Sequence, residues 1–171
     1  PVGNCRHSAI TVFSFHPVKI ITTGEGGLAT TNDYVLAKCM EELRSHGIVR
    51  AHERFEQLAT GPWFYEQQQL GFNYRMTDIQ AALGLSQLKS LDEIVIERNK
   101  LLFNYRELLS YLDVRLLEDP LDVFSSVHLA VIRLTDPSPE HHRRVFEGLR
   151  TADIGVQLHY TPVYLHPYYR R

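Results

Sequence analysis

A short β-branched and aromatic run at residues 9–15 predicts a strand, and residues 19–22 and 28–31 read as two further extended pieces. The glycine-rich turn Gly24-Glu25-Gly26-Gly27 separates the last two. Leu36, Cys39, Met40 and Leu43 then recur at helical spacing and predict a helix over 33–44, with Asn32 as its cap. Residues 45–74 lose all periodicity: Gly47, Gly61, Pro62 and Gly71 interrupt them, and Trp63, Phe64, Tyr65, Phe72 and Tyr74 supply aromatic content that argues against disorder. A long aperiodic stretch of this kind in a compact domain predicts a functional loop. Thr77 and Gln80 form a capping box ahead of the small-residue helix Ala81-Ala82-Leu83-Gly84, and Ser90 with Glu93 has the spacing of a second. Ile94, Leu101, Tyr105, Leu108 and Leu112 mark a long amphipathic helix. Residues 127–134 read as a buried strand, Pro139 as the first position of a helix that buries Val145, Phe146 and Leu149, and residues 156–159 as a last strand beyond Gly155. The order β–β–β–α–loop–α–α–β–α–β is an α/β or α+β pattern. A domain boundary near Ser90 divides the chain into residues 1–89 and 90–171.

Composition narrows the function classes without choosing one. Apolar residues at 44% and charged residues at 22% are ordinary for a globular protein. A net charge of -2 leaves no basic excess for a nucleic-acid partner, and no apolar run approaches the ~20 residues of a membrane span. Cys5 and Cys39 form no CxxC pair and read as reduced thiols in a cytoplasmic protein, so no metal site is expected. His141-His142, beside Arg143 and Arg144, reads as a solvated helix face.

Among the four lysines, Lys38, Lys89 and Lys100 fall on helices or at their ends, where a solvated ammonium is the ordinary role. Lys19 instead sits in Pro17-Val18-Lys19-Ile20-Ile21, among apolar neighbours. Burial disfavours the ammonium, and a lysine so placed can be neutral near pH 7 and condense with an aldehyde. A snorkelling lysine at a strand end fits the same pattern. Ser14, five residues earlier with a turn at Pro17 between, has a hydroxyl that could hold the phosphate of a small cofactor whose aldehyde meets Lys19, or could satisfy local backbone. Spacing alone leaves both open.

Three blocks carry a resemblance. Ser14-Phe15-His16-Pro17-Val18-Lys19, then Thr23-Gly24-Glu25-Gly26-Gly27, then Gly71-Phe72-Asn73-Tyr74-Arg75-Met76-Thr77-Asp78-Ile79-Gln80-Ala81-Ala82 resemble the DegT/DnrJ/EryC1/StrS sugar aminotransferases in content, order and separation. The resemblance implies a pyridoxal 5'-phosphate-dependent transferase of fold type I, like aspartate aminotransferase. Residues 1–89 would be the C-terminal part of its large cofactor-binding domain, and residues 90–171 an incomplete small C-terminal domain. Lys19 matches the family's Schiff-base lysine, Ser14 its phosphate-contacting hydroxyl, and Asn73 an asparagine that reaches the cofactor phosphate of the neighbouring subunit. A homodimer with shared active sites follows. Arg75 matches the motif's arginine, with anion binding or interface structure as its role.

The stretch from Gly155 through His159 and Tyr160 to Val163, with Pro167-Tyr168-Tyr169, resembles the branch of the family that makes pseudaminic-acid precursors. His159 and Tyr160 are therefore candidate substrate contacts, with packing at a strand end as the other reading. The implied reaction moves an amino group from glutamate to the C4 keto group of a UDP-linked 4-keto-6-deoxy-N-acetylhexosamine. Lys19, where sugar-dehydrating relatives carry a histidine, favours transamination. The family's phosphate loop, ring-stacking aromatic and pyridine-facing aspartate precede the lysine, and none matches among the eighteen residues before Lys19. The sequence reads as a C-terminal fragment, inactive alone, with apolar surface expected to be open at Ile10, Val12, Ile20 and Ile21. The rival readings are a non-catalytic truncated homologue that keeps only a dimerisation or interaction surface, and a related family member that acts on another nucleotide keto-sugar.

Overall fold

The computed structural model describes residues 1–120 and 122–171. The chain forms two compact units, Pro1–Arg98 and Asn99–Arg171.

The first unit opens with an antiparallel pair, β1 (Thr11–Ser14) and β2 (Gly27–Thr30), in which Thr11 faces Thr30 and Ser14 faces Gly27. Residues 19–22 are not the strand their β-branched content predicts. The Lys19 N–H donates to the His16 carbonyl (2.9 Å), and the Thr23 N–H and Thr22 hydroxyl both donate to the Phe15 carbonyl (3.0 and 2.9 Å), so the chain turns back over the end of β1. This turn leaves Ile20 and Ile21 half-buried, whereas Val12 is 76% exposed.

Helix α1 (Tyr34–Leu43) forms as predicted, but Asp33 caps it rather than Asn32. The Asp33 carboxylate accepts from the N–H groups of Val35 and Leu36 (2.7 and 3.1 Å). Asn32 is engaged elsewhere, its amide donating to the Asn4 carbonyl (2.8 Å). Because charge-assisted caps satisfy two orphan donors at once, Asp33 is the better choice.

The aperiodic stretch holds a two-residue antiparallel pair, β3 (Ile48–Val49) with β4 (Glu66–Gln67), and a 3₁₀ turn at His52–Arg54. Val49 is fully buried there. Its return arm is strapped to the end of α1. Phe72 and Tyr74 donate N–H groups to the carbonyls of Leu43 and Arg44 (3.0 and 2.9 Å), and His46 donates back to the Phe72 carbonyl (3.0 Å). The last carbonyls of a helix lack intrahelical donors, and this strap supplies them. Helix α2 (Asp78–Leu88) follows, opened by the predicted Thr77–Gln80 capping box.

Helix α3 (Leu91–Leu108) runs through the division between the units. Its first turn is closed by backbone, the Ile94 N–H donating to the Ser90 carbonyl (3.0 Å). In the second unit, β5 (Val114–Leu116) and β6 (Ile132–Leu134) pair antiparallel, and Leu102 and Val127 are buried. The strand expected over 127–134 is thus confined to its last three residues, the length that β5 pairs with. Helix α4 (Pro139–Thr151) has Pro139 in its first turn, and the Ser138 hydroxyl accepts the His141 N–H (3.3 Å). Residues 156–159 form no strand, and no neighbouring strand offers them a ladder among the described residues. No described helix is long and apolar enough to cross a membrane.

Candidate active site

The turn after β1 presents the two residues that sequence reasoning paired. Ser14 ends β1, exposed, and among the described residues its Oγ accepts only a long hydrogen bond from the His16 N–H (3.4 Å), leaving the hydroxyl proton free to donate. Lys19 lies half-buried one turn on, its backbone tied to His16. Among the described residues no ion pair or side-chain hydrogen bond reaches its amine. His16 itself faces Glu25 across 3.8 Å.

What holds this turn comes from far along the chain. Thr23 is 3% exposed, and its hydroxyl donates to the Glu25 carbonyl (2.8 Å), closing the glycine-rich loop on itself. Helix α2 clamps that loop from one side. The Gln87 amide oxygen accepts the Thr22 N–H (3.1 Å), and the Gln80 amide nitrogen donates to the Glu25 carbonyl (2.9 Å). Gln80 has two jobs, since its oxygen also receives the Thr77 N–H that completes the capping box (2.9 Å). Gly84 lets the helix come this close: a Cβ there would lie 2.8 Å from the Thr23 methyl. Sequence reasoning saw Gln80 as a cap and did not single out Gln87. Both act as positioning residues for the Lys19 turn.

Asn73 and Arg75 lie on the strap. Asn73 makes an isolated bridge with Ser45, and its side-chain oxygen accepts the Arg75 N–H (3.4 Å). The Asn73 side chain is exposed and, among the described residues, makes no hydrogen bond to Ser14 or Lys19. Arg75 lines an open groove of about 1090 Å³ along α1, with Tyr34, Lys38, Glu42 and Arg54. The Arg54–Glu42 ion pair spans that groove wall. In the second unit His159 and Tyr160 are exposed, their rings 4.2 Å apart.

Glu66 also escaped sequence reasoning. It is buried in β4, and its carboxylate accepts the N–H groups of Glu56 and Gln57 (2.9 and 2.8 Å) and the Gln68 amide (2.7 Å). The Glu56 N–H, ahead of the other two donors, outweighs burial and holds the carboxyl below the usual glutamate range. A depressed folded pKa contributes stability above the unfolded value and loses it as pH falls through the folded value. Amide exchange at Glu56 and Gln57, corrected for intrinsic rates, is therefore expected to stay slow down to about pH 4.3 and to accelerate below it. Unchanged protection at pH 3 would remove Glu66 as the clasp.

The model of the DegT/DnrJ/EryC1/StrS aminotransferase family matches residues 1–171. The chain belongs to that family. A UDP-4-amino-4,6-dideoxy-N-acetyl-beta-L-altrosamine transaminase of Campylobacter jejuni is 37% identical over 165 residues, covering 95% of this chain and 41% of the relative. The solved Helicobacter pylori PseC, an aminotransferase involved in the biosynthesis of pseudoaminic acid, superposes with a TM-score of 0.83 at 33% identity, over 95% of this chain and 42% of its own. The putative sugar aminotransferase Spr1654 of Streptococcus pneumoniae, in its PLP form, gives a TM-score of 0.83 at 28% identity, over 98% and 42%. The chain thus spans about two fifths of the length of the family members it matches.

Proposed function

We propose that the chain is the lysine-bearing portion of a pyridoxal-phosphate-dependent sugar aminotransferase of fold type I. Residues 1–89 belong to its large cofactor-binding domain and residues 90–171 to its small C-terminal domain. The reaction transfers an amino group from glutamate to the C4 keto group of a UDP-linked 4-keto-6-deoxy-N-acetylhexosamine, in the cytoplasm. The observation that carries this reading is Lys19: a half-buried residue whose amine has no acidic partner among the described residues, on a turn clamped by α2 and five residues from a serine hydroxyl free to donate. The altrosamine transaminase and PseC support the sugar class.

The residues present fit the two reactive ends of pyridoxal 5'-phosphate. An amine unpaired among the described residues suits its aldehyde, and the Ser14 hydroxyl, which makes one long hydrogen bond among them, suits its phosphate. When bound, the cofactor supplies an electron sink for the substrate carbon that loses a proton. Lys19 Nζ would hold the aldehyde end of the cofactor, and its amine, once freed, would carry the proton from the donor's α-carbon to the C4′ carbon. Such positioned transfer contributes about 10²–10⁴-fold. Ser14 Oγ fixes the phosphate, so the carbon to be deprotonated stays within reach of Lys19 Nζ. Asn73 reaches the phosphate held by the neighbouring subunit, which makes the active unit a homodimer. Arg75 binds a substrate anion, and His159 and Tyr160 contact the sugar nucleotide.

Shared sites are tested by mixing. Complete enzyme carrying Asn73→Ala is combined with enzyme carrying Lys19→Ala, each measured alone as a baseline. Random exchange makes half the dimers mixed, each with one site that keeps both groups, so about a quarter of wild-type activity is expected. Activity that stays at the baselines, with mixed dimers demonstrated, rules the sharing out.

A further inference from the structure

Strands β5 and β6 are registered so that Arg115 stands directly opposite Arg133, and both are exposed. Opposite residues on adjacent strands hold their Cβ atoms about 5 Å apart, and like charges in that position destabilise the pair. A third arginine completes the group. Arg106, on α3, reaches back to the Leu117 carbonyl (3.4 Å), just past the end of β5. All three line one open cavity of about 640 Å³ together with Ser110 and Glu118. Glu118 is the one acid in that lining, so the cavity carries a surplus of two positive charges. Among the described residues no ion pair neutralises any of the three arginines. The Ser110 hydroxyl already donates to the Glu107 carbonyl (2.7 Å).

A sheet this short, stabilised by three residue pairs, gains nothing from placing two guanidiniums face to face. A local conflict left uncompensated within the fold marks a place where something from outside completes it. Guanidinium forks bind oxyanions bidentately, through paired donors in a plane, and phosphoryl oxygens match them best. We propose that this cavity of the second unit binds a phosphate-bearing anion. Arg115 and Arg133 each grip one phosphoryl group of a diphosphate, and Arg106 lies on the α3 side. The open mouth admits either free pyrophosphate or the diphosphate of a nucleotide.

The test uses the complete enzyme and two probes, inorganic pyrophosphate and UDP. Arginines are labelled with phenylglyoxal and located by peptide mapping. Labelling of Arg115 and Arg133 is expected to slow about tenfold at a probe concentration ten times its Kd. Protection by pyrophosphate alone assigns the site to a free anion; protection by UDP alone, or by both, assigns it to a nucleotide. Protection by neither overturns the proposal, as does failure of these arginines to label without probe, which would mean another part of the enzyme covers them. Arg133→Thr gives an independent readout. Relieved of repulsion, the probe-free variant should melt no lower than wild type, while the rise in Tm caused by pyrophosphate shrinks. A lower Tm with the pyrophosphate response intact would make the arginine structural and sink the idea.

Discussion

Lys19→Arg in the complete enzyme is expected to lower turnover by about 10²–10⁴-fold while leaving the protein folded. Arginine keeps the positive charge and fits a half-buried position whose amine has no partner to lose among the described residues. It cannot present a neutral amine near pH 7, so it neither condenses with an aldehyde nor carries a proton between carbons. Some cofactor should still bind through Ser14 and Asn73. Wild-type enzyme should show a visible absorption band that borohydride makes permanent, and peptide mapping should place the label on Lys19. The other lysines are poor competitors for physical reasons. Lys38 is hydrogen-bonded to Glu41 (2.8 Å), which holds its ammonium above the usual lysine range. Lys89 is the exposed C-cap of α2, and Lys100 is exposed on α3. Glutamate should bleach the wild-type band, and in Lys19→Arg that change should be slow or absent. Label on another lysine, or near-normal turnover in Lys19→Arg, would remove the central claim.

Local signals were legible in the sequence and distant pairings were not. The Thr77–Gln80 box and Pro139 at the start of α4 are written within four residues of the helices they open, and both stand as read. Residues 19–22 misled because Ile20, Ile21, Thr22 and Thr23 have strand-like side chains, while a strand also needs a partner. Here the donors of Thr22 and Thr23 go to Gln87 and the Phe15 carbonyl instead. Strand β5 was missed because three residues following a helix leave too short a pattern to separate from a loop. At the candidate site, Lys19 and Ser14 could be proposed from the sequence because their side chains carry reactive groups. The clamps could not, since Gln80 and Gln87 act on residues 55 and 65 positions away. Glu66 gave no signal either, because two of its three donors are backbone amides with no side-chain signature.

Gly71→Ala is expected to cost about 3 kcal/mol, the upper end for overpacking, because the three nearest atoms its Cβ would meet are all backbone. The added carbon would lie 2.4 Å from the Gly47 nitrogen, 2.5 Å from the Leu43 carbonyl oxygen and 2.7 Å from the His46 carbonyl carbon. No rotamer change relieves such contacts, so the strap must lift from the end of α1. Lifting it strains the hydrogen bonds of Phe72 to Leu43 and of Tyr74 to Arg44. Gly47, on the facing side at φ +69, would put a Cβ 1.9 Å from the Gln69 carbonyl oxygen, so Gly47→Ala should be at least as damaging. Gly148 is the control. It lies within α4 with nothing within 4 Å of its would-be Cβ, and Gly148→Ala should stabilise by up to about 1 kcal/mol through helix propensity. Denaturant unfolding of the complete enzyme and its three variants measures all of this. Asn73 stands two residues beyond Gly71, so a lifted strap also moves the group assigned to the neighbouring subunit's phosphate. Pyridoxal phosphate affinity should therefore fall in Gly71→Ala under conditions where the variant is still folded, and stay unchanged in Gly148→Ala. A Gly71→Ala enzyme of wild-type stability would mean the strap is not seated on α1. One that is destabilised yet binds cofactor normally would keep the packing and remove Asn73 from the phosphate.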